Sequence, residues 1–182
     1  MLTTNVTVGN KPFKPLITEA ELQTRVRAMG RQITTDYSDR NPVLIGVLKG
    51  AAIFLSDLIR EVKVPCSMTF MRIKSYSGTQ STGKISKELE FTEDIEGRHV
   101  IIVEDIVDTG NTARFLFEEL KKHRPATIAL ATLLFKPMAL LYPFKPDYTA
   151  FEIGNDFVVG YGLDYDEHGR NLKDIYVMES VS

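Results

Sequence analysis

The chain has 182 residues, 43% of them hydrophobic and 25% charged, with a formal net charge of −2. Such a length predicts a single domain spanning 1–182 with a sizeable core, and so small a charge supplies no whole-protein basic field to hold nucleic acid. The one cysteine, Cys66, excludes an internal disulfide, fits a reducing compartment, and reads as a small buried residue rather than a nucleophile.

Residues 1–16 carry Pro12 and Pro15 and read as an extended arm. "TEAE" follows as a capping box, with Thr18 as N-cap and Glu21 three residues on. Leu22, Val26, Met29 and Ile33 then give a helix one apolar face. Val43 to Leu48, in "NPVLIGVLKG", is a short apolar run of buried-strand type. "AAIFLSDLIREV" reads as a helix with Ile53, Leu58 and Val62 on one side. Strand, Lys-Gly turn and helix make half of a βαβ unit. "CSMTFMRI" is a further strand. Lys74 to Lys87, "KSYSGTQSTGKISK", has no apolar periodicity and is long for a passive connection, as lids and binding loops are.

"EGRHVIIVED" returns to a strand, and "DTGNT" leads into a helix with Ala113, Leu116, Phe117 and Leu120 on its apolar face. Cationic residues Lys121 to Arg124 suit that helix's C-terminus, and Pro125 stops it. "ATIALATLLF" is another buried strand; "TAFEIG", "FVVGYGLDY" and "IYVMES" are shorter ones. Strands and helices in alternation, with apolar-run strands, predict an α/β fold whose mostly parallel sheet is covered on both faces.

The junction "VIIVEDIVDTGNT" carries the chemistry. Ligands of open α/β sheets sit beyond the carboxyl ends of the strands. The first amides of a helix lack intrahelical partners, Gly110 permits close backbone approach, and Thr109 and Thr112 add hydroxyls. These features form an anion cup suited to phosphate. Glu104 and Asp105 repel an anion, so they face either the vicinal hydroxyls of a sugar or a divalent cation. Cup and acids together describe a phosphorylated sugar, with Asp108 between them, placed for proton work. A lone "TGxT" would read as a capped strand-to-helix turn; two acids ending an apolar strand, followed by the cup, reverse that.

This junction resembles the phosphoribosyl-diphosphate signature of the type I phosphoribosyltransferases. More narrowly, the chain resembles the bacterial-type hypoxanthine-guanine branch, through "LIGVLKG", "KSYSGTQSTG", "LLFKP" and "FVVGYGLDYDEHGRNL" in that order. The resemblance implies a small hood built from the N-terminal arm and the C-terminal segment, and a flexible lid over about 74–87. It also implies transfer of a 5-phosphoribosyl group from phosphoribosyl diphosphate to a 6-oxopurine, with magnesium.

It further implies roles. Glu104 and Asp105 would read the ribose hydroxyls and magnesium, with Asp164 a further acid on the metal side. Asp108, Thr109, Gly110, Asn111 and Thr112 would line the 5'-phosphate cup, Asn111 through backbone alone. Asp108 would be the general acid/base at the purine's N7. Lys49, Gly50, Ser75, Tyr76 and Arg170 would hold diphosphate, the Leu48–Lys49 peptide in a strained or cis form. Lys136 would donate to the exocyclic oxygen, as a side chain with donors and no acceptor does. Phe157 would stack on the purine, Val158 and Asp164 would meet its edge, and Gly78 and Gly83 would let the lid move. Taken singly, Lys49 and Lys136 read as surface lysines at strand ends, Phe157 as core, and "DYDEHGR" as a solvated charged loop.

His99, His123 and His168 do not cluster, so no zinc site is expected. No apolar run reaches membrane-spanning length, "MLTTNVTVGN" lacks a signal-peptide pattern, and the cytoplasm is the expected location. Small-molecule substrates and a homo-dimer or homo-tetramer are expected. Two other readings are an RNA-binding regulator on the same fold, disfavoured by the charge and the intact Asp108, Lys136 and Arg170, and a xanthine-preferring transferase.

Overall fold

A computed structural model of the protein describes residues 4–77 and 85–179. The stretch that reads as an extended arm is a hairpin. Strands β1 (Val6–Val8) and β2 (Lys11–Ile17) pair antiparallel across the turn Gly9-Asn10, with Val8 opposite Lys11. Gly9, at φ 60°, supplies the left-handed backbone that a two-residue turn demands. Thr18 then caps helix α1 (Glu19–Asp36), and the Glu21 carboxylate accepts from the Thr18 amide at 2.9 Å, completing the expected box. Leu22, Val26, Met29 and Ile33 are all buried.

Strand β3 (Val43–Leu48) feeds helix α2 (Ala52–Glu61), which buries Phe54, Leu55 and Leu58. Ile53, expected on that face, is 36% exposed. The face is set instead by Leu55: a Cβ on Gly46 of β3 would lie 2.7 Å from its Cδ2, so the strand's missing side chain admits the leucine. Strand β4 (Ser67–Ser77) runs parallel to β3, and β5 (Ile85–Glu90) pairs antiparallel with β4. The polar stretch read as a loop is therefore strand at both ends, with Ser75 opposite Lys87 and Tyr76 opposite Ser86. Gly78 and Gly83 lie outside the described residues.

Strand β6 (His99–Val107), helix α3 (Asn111–Lys121), strand β7 (Thr127–Phe135), strand β8 (Tyr148–Glu152), and the short β9 (Val158–Val159) and β10 (Ile175–Met178) complete the chain. The main sheet has the order β5-β4-β3-β6-β7-β8, and every pair except β4 with β5 is parallel. Strand period two splits its side chains between two cores. Leu44, Ile101 and Val103 pack with α1 and α2; Val43, Ile45, Val100 and Ile102 pack with α3. The apolar runs of β3, β6 and β7 are thus explained by burial on both faces.

A second sheet, β1-β2-β10-β9, is antiparallel and encloses Val8, Phe13, Val159 and Tyr176. It joins the main body where Asp174 accepts from the Glu19 amide at 2.6 Å, and where the Tyr161 hydroxyl donates to Asp57 of α2 at 2.6 Å. Because β3, β6 and β7 are parallel, their carboxyl ends share one edge, below this hood. Lys49, Asp108 and Lys136 all emerge there.

Candidate active site

Strand β6 does not stop at its acids. Ile106 and Val107 still pair with Leu134 and Phe135 of β7, so Glu104 and Asp105 lie within the strand on opposite faces. Glu104, only 4% exposed, lines a cavity of ≈190 Å³ with Asp108, Thr109, Gly110 and Thr112. Gly110 caps α3 at φ 82°, a conformation that would strain any residue with a Cβ, and no side chain caps the helix. The first amides of α3 therefore stay available to an anion, although Thr109 Oγ1 takes a long 3.4 Å contact from the Asn111 amide. The Asn111 side chain does not line the cavity.

Asp105 lines a second cavity of ≈240 Å³ with Ile106, Asp108, Lys136, Phe157, Val158, Leu163 and Asp164. Burial pushes its carboxyl up to about 6; the amides of Ile106 and of Asp105 itself and the Arg170 cation oppose this, and Asp164 adds to it. Gly50 packs flat on that carboxyl, so closely that a Cβ there would fall 1.6 Å from Asp105 Oδ2. The Gly162 carbon in turn abuts the Gly50 carbonyl, where a Cβ would fall 2.2 Å from the oxygen. The Leu48–Lys49 peptide is cis.

Arg170 donates to the Gly162 carbonyl at 2.8 Å and pairs with Asp164 at 2.7 Å. It also meets Glu167 at 3.3 Å, and Glu167 pairs with Lys49 at 2.9 Å. Lys49 first, then Arg170, holds the Glu167 carboxyl below its ordinary range. The two cations that the resemblance assigns to diphosphate are thereby joined through one carboxylate.

On the β7 side, the Lys136 amide bonds to the Val107 carbonyl at 2.9 Å and so sits beside Asp108. Its ammonium, 6% exposed as a residue, reaches Asp108 Oδ2 at 3.1 Å. Phe157 is 45% exposed, its ring against Tyr165 at 5.9 Å and Phe13 at 6.5 Å between centroids. The hood rings thus pack on Phe157, which also lines the cavity. Cys66 is half-buried and burial raises its thiol, the opposite of nucleophile activation.

The site gathers Asp105, Asp108, Lys136, Phe157, Val158 and Asp164 on one cavity and Glu104, Asp108 and the cup residues on its neighbour. Ser75 and Tyr76 are placed by their backbone alone, in the last residues of β4. Reading the sequence missed Ile106, which lines both cavities, Leu163, and Glu167. The first was visible in principle, since it stands two residues from both Glu104 and Asp108; the other two depend on how a distant loop folds back.

A six-stranded, mostly parallel sheet with helices on both faces, an antiparallel hood, and a cup at the β6-α3 junction define the type I phosphoribosyltransferase fold. The sequence pattern of the phosphoribosyl transferase domain spans residues 18–166, and the chain belongs to that family of enzymes. A hypoxanthine-guanine phosphoribosyltransferase of Streptococcus pneumoniae is 43% identical over 167 residues, 91% of this chain and 93% of its own. One from Lactococcus lactis is 40% identical, covering 91% of each chain. The crystal structure of a hypoxanthine-guanine phosphoribosyltransferase from Bacillus anthracis superposes with a TM-score of 0.83 at 38% identity, over 90% of this chain and 97% of that one.

Proposed function

We infer that this enzyme transfers a 5-phosphoribosyl group from phosphoribosyl diphosphate to hypoxanthine and guanine, releasing diphosphate, in purine salvage. One observation carries the reading. The cup cavity and the Lys136–Phe157 cavity share Ile106 and Asp108, so a phosphate in one and a flat base in the other straddle a single carboxylate. A phosphorylated ribose joins such sites.

The chain's own residues then have distinct tasks. The α3 amides and the hydroxyls of Thr109 and Thr112 hold the 5'-phosphate. Phe157 stacks on the purine, and Lys136 donates to an exocyclic oxygen, which rejects an amino group there. Asp108 accepts or returns the N7 proton as the ring nitrogen attacks the anomeric carbon. Lys49 and Arg170 hold the departing diphosphate.

Magnesium fits the residues present. Asp105 and Asp164 line one cavity; burial first, and then the Asp164 charge, disfavours the Asp105 carboxylate, and a dication between the two would favour it. Among the described residues no three His, Cys, Asp or Glu gather at one point. Asp105 and Asp164 would supply part of the shell and substrate oxygens the rest, whereas Glu104, expected to join them, lies on the other face of β6 and lines the cup cavity instead. Bound there, the ion neutralises charge on the leaving diphosphate.

Among the described residues, no helix is long and apolar enough to cross a membrane. The same reading includes a cytoplasmic location and a homo-dimer or homo-tetramer, which light scattering on the purified chain decides. The functional test is diphosphate release from phosphoribosyl diphosphate and magnesium chloride with hypoxanthine, guanine, xanthine or adenine. Turnover with hypoxanthine and guanine is expected. Release no faster than without a base would overturn the proposal, and a rate highest with xanthine would overturn its choice of base.

A further inference from the structure

The loop that carries Arg170 contains a feature that holding diphosphate does not require. Tyr165 and His168 exchange two backbone bonds, of 2.9 and 3.0 Å, closing a two-residue turn over Asp166 and Glu167. Both turn residues have positive φ, 50° and 64°. Asn-Gly is the sequence such a turn favours, and a glutamate with positive φ is uncommon. Asp164 Oδ2 fastens the turn by accepting from the Glu167 amide at 2.9 Å.

The result aims one side chain. Glu167 Oε2 lies 2.9 Å from Lys49 Nζ and 3.3 Å from Arg170 Nη2. A single anionic oxygen thus bridges an ammonium and a guanidinium from two loops otherwise far apart in the chain. A phosphoryl oxygen asks for the same two donors in the same arrangement. Lys49 and Glu167 are more than half exposed, so their contact is open to exchange with a solute rather than locked in the core.

We propose that Glu167 is a built-in counter-ion that occupies the Lys49–Arg170 position in the free enzyme and yields it to diphosphate. This rests on Lys49 and Arg170 being the diphosphate cations. On this account diphosphate binding is an exchange of anions. Glu167 stabilises the empty site, lowers the net affinity for diphosphate, and speeds product release by re-entering. Asp164 stays on Arg170 throughout and keeps the guanidinium oriented.

The test is calorimetric titration of sodium diphosphate, with magnesium chloride present, into the full-length wild-type protein and its Glu167→Gln, Glu167→Gly, Lys49→Gln and Arg170→Gln variants. Removing the competing carboxylate is expected to tighten diphosphate binding roughly three- to tenfold, the range for one or two exposed ion pairs. Glu167→Gly suits the positive φ better than the native residue and should tighten it as well. KM for phosphoribosyl diphosphate should fall in parallel. Unchanged or weaker binding in both Glu167 variants, with Lys49→Gln and Arg170→Gln still losing affinity, would overturn the counter-ion alone and make Glu167 a positioning residue. Wild-type binding that ignores Lys49→Gln and Arg170→Gln would overturn the diphosphate assignment as well.

Discussion

Single side chains at the β6 carboxyl end divide the chemistry. Asp108 touches both cavities and pairs with Lys136 at 3.1 Å. Asp108→Asn keeps the shape and removes the base, so kcat should fall about 10²-fold or more while KM for phosphoribosyl diphosphate changes little. Steady-state kinetics decides this, and unaltered turnover removes Asp108 from proton transfer. Lys136→Gln replaces a pure donor with a group that both donates and accepts. The ratio of kcat/KM for adenine to that for hypoxanthine should rise; a constant ratio means the oxygen is recognised elsewhere. Asp105 makes a prediction about the free protein. Its carboxyl ionises near 6 when folded and near an ordinary 4 when unfolded. Between those values the folded state holds the extra proton, so this group's stabilising contribution is present at low pH and lost as pH rises through 6. Asp105→Asn should therefore be more stable than wild type at pH 7, by on the order of 1–3 kcal/mol, with the gap closing towards pH 4. Urea melts across that range measure it, and a gap that widens on acidification contradicts the assigned direction.

At the scale of elements, the site depends on backbone approaching backbone. Gly50, between β3 and α2, lies directly on the Asp105 carboxyl, and Gly162 lies on the Gly50 carbonyl. No side chain fits either gap. Gly50→Ala should push the Lys49 loop away from β6, raising KM for phosphoribosyl diphosphate at least about tenfold, since misplaced positioning groups cost that much or more. Equal KM values for the two proteins would show that the contact does not position the loop. The sequence disclosed such elements unevenly. Thr18 and Glu21 were legible because a capping box is made within four residues. The acids before the cup were legible because strand, turn and helix are consecutive. The hairpin at Gly9-Asn10 was masked by Pro12 and Pro15, which β2 accommodates within the strand opposite Thr7 and Tyr176. Ser75 and Tyr76 sat in a run with no apolar alternation, and their pairing with β5 comes from a partner strand rather than from their own pattern. Ile53 looked inward by spacing, but Gly46 gives the room to Leu55.

Across the whole molecule, two sheets meet over the site, and an apolar core that takes in Ile17, Val158, Ile175 and Val177 with Leu22 and Ile101 joins them, together with a few polar ties. Tyr161, buried at φ 49° between Gly160 and Gly162, donates to Asp57, which also accepts from Gln23 at 2.8 Å. Burial and then that Asp57 bond push its phenol up, so it is a donor at any working pH. The bond ties the segment carrying Gly162, and through the Gly162 carbonyl Arg170, to α2. Such a tie joins residues over a hundred positions apart, which is why no local pattern announced it, or the Glu167 bridge. The family motifs, by contrast, were legible in order along the chain, because each is a short contiguous run; those at Lys49, Asp108 and Lys136 follow the carboxyl ends of parallel strands, while the last begins in β9 of the hood. The central claim is that one sugar phosphate spans the two cavities around Asp108. A crystal structure of the enzyme with inosine monophosphate tests it most directly. The account predicts phosphate on the amides from Thr109 to Thr112, the purine against Phe157, and its oxygen on Lys136. A nucleotide whose phosphate lies away from α3, with the β6 cup empty of it, would contradict the account.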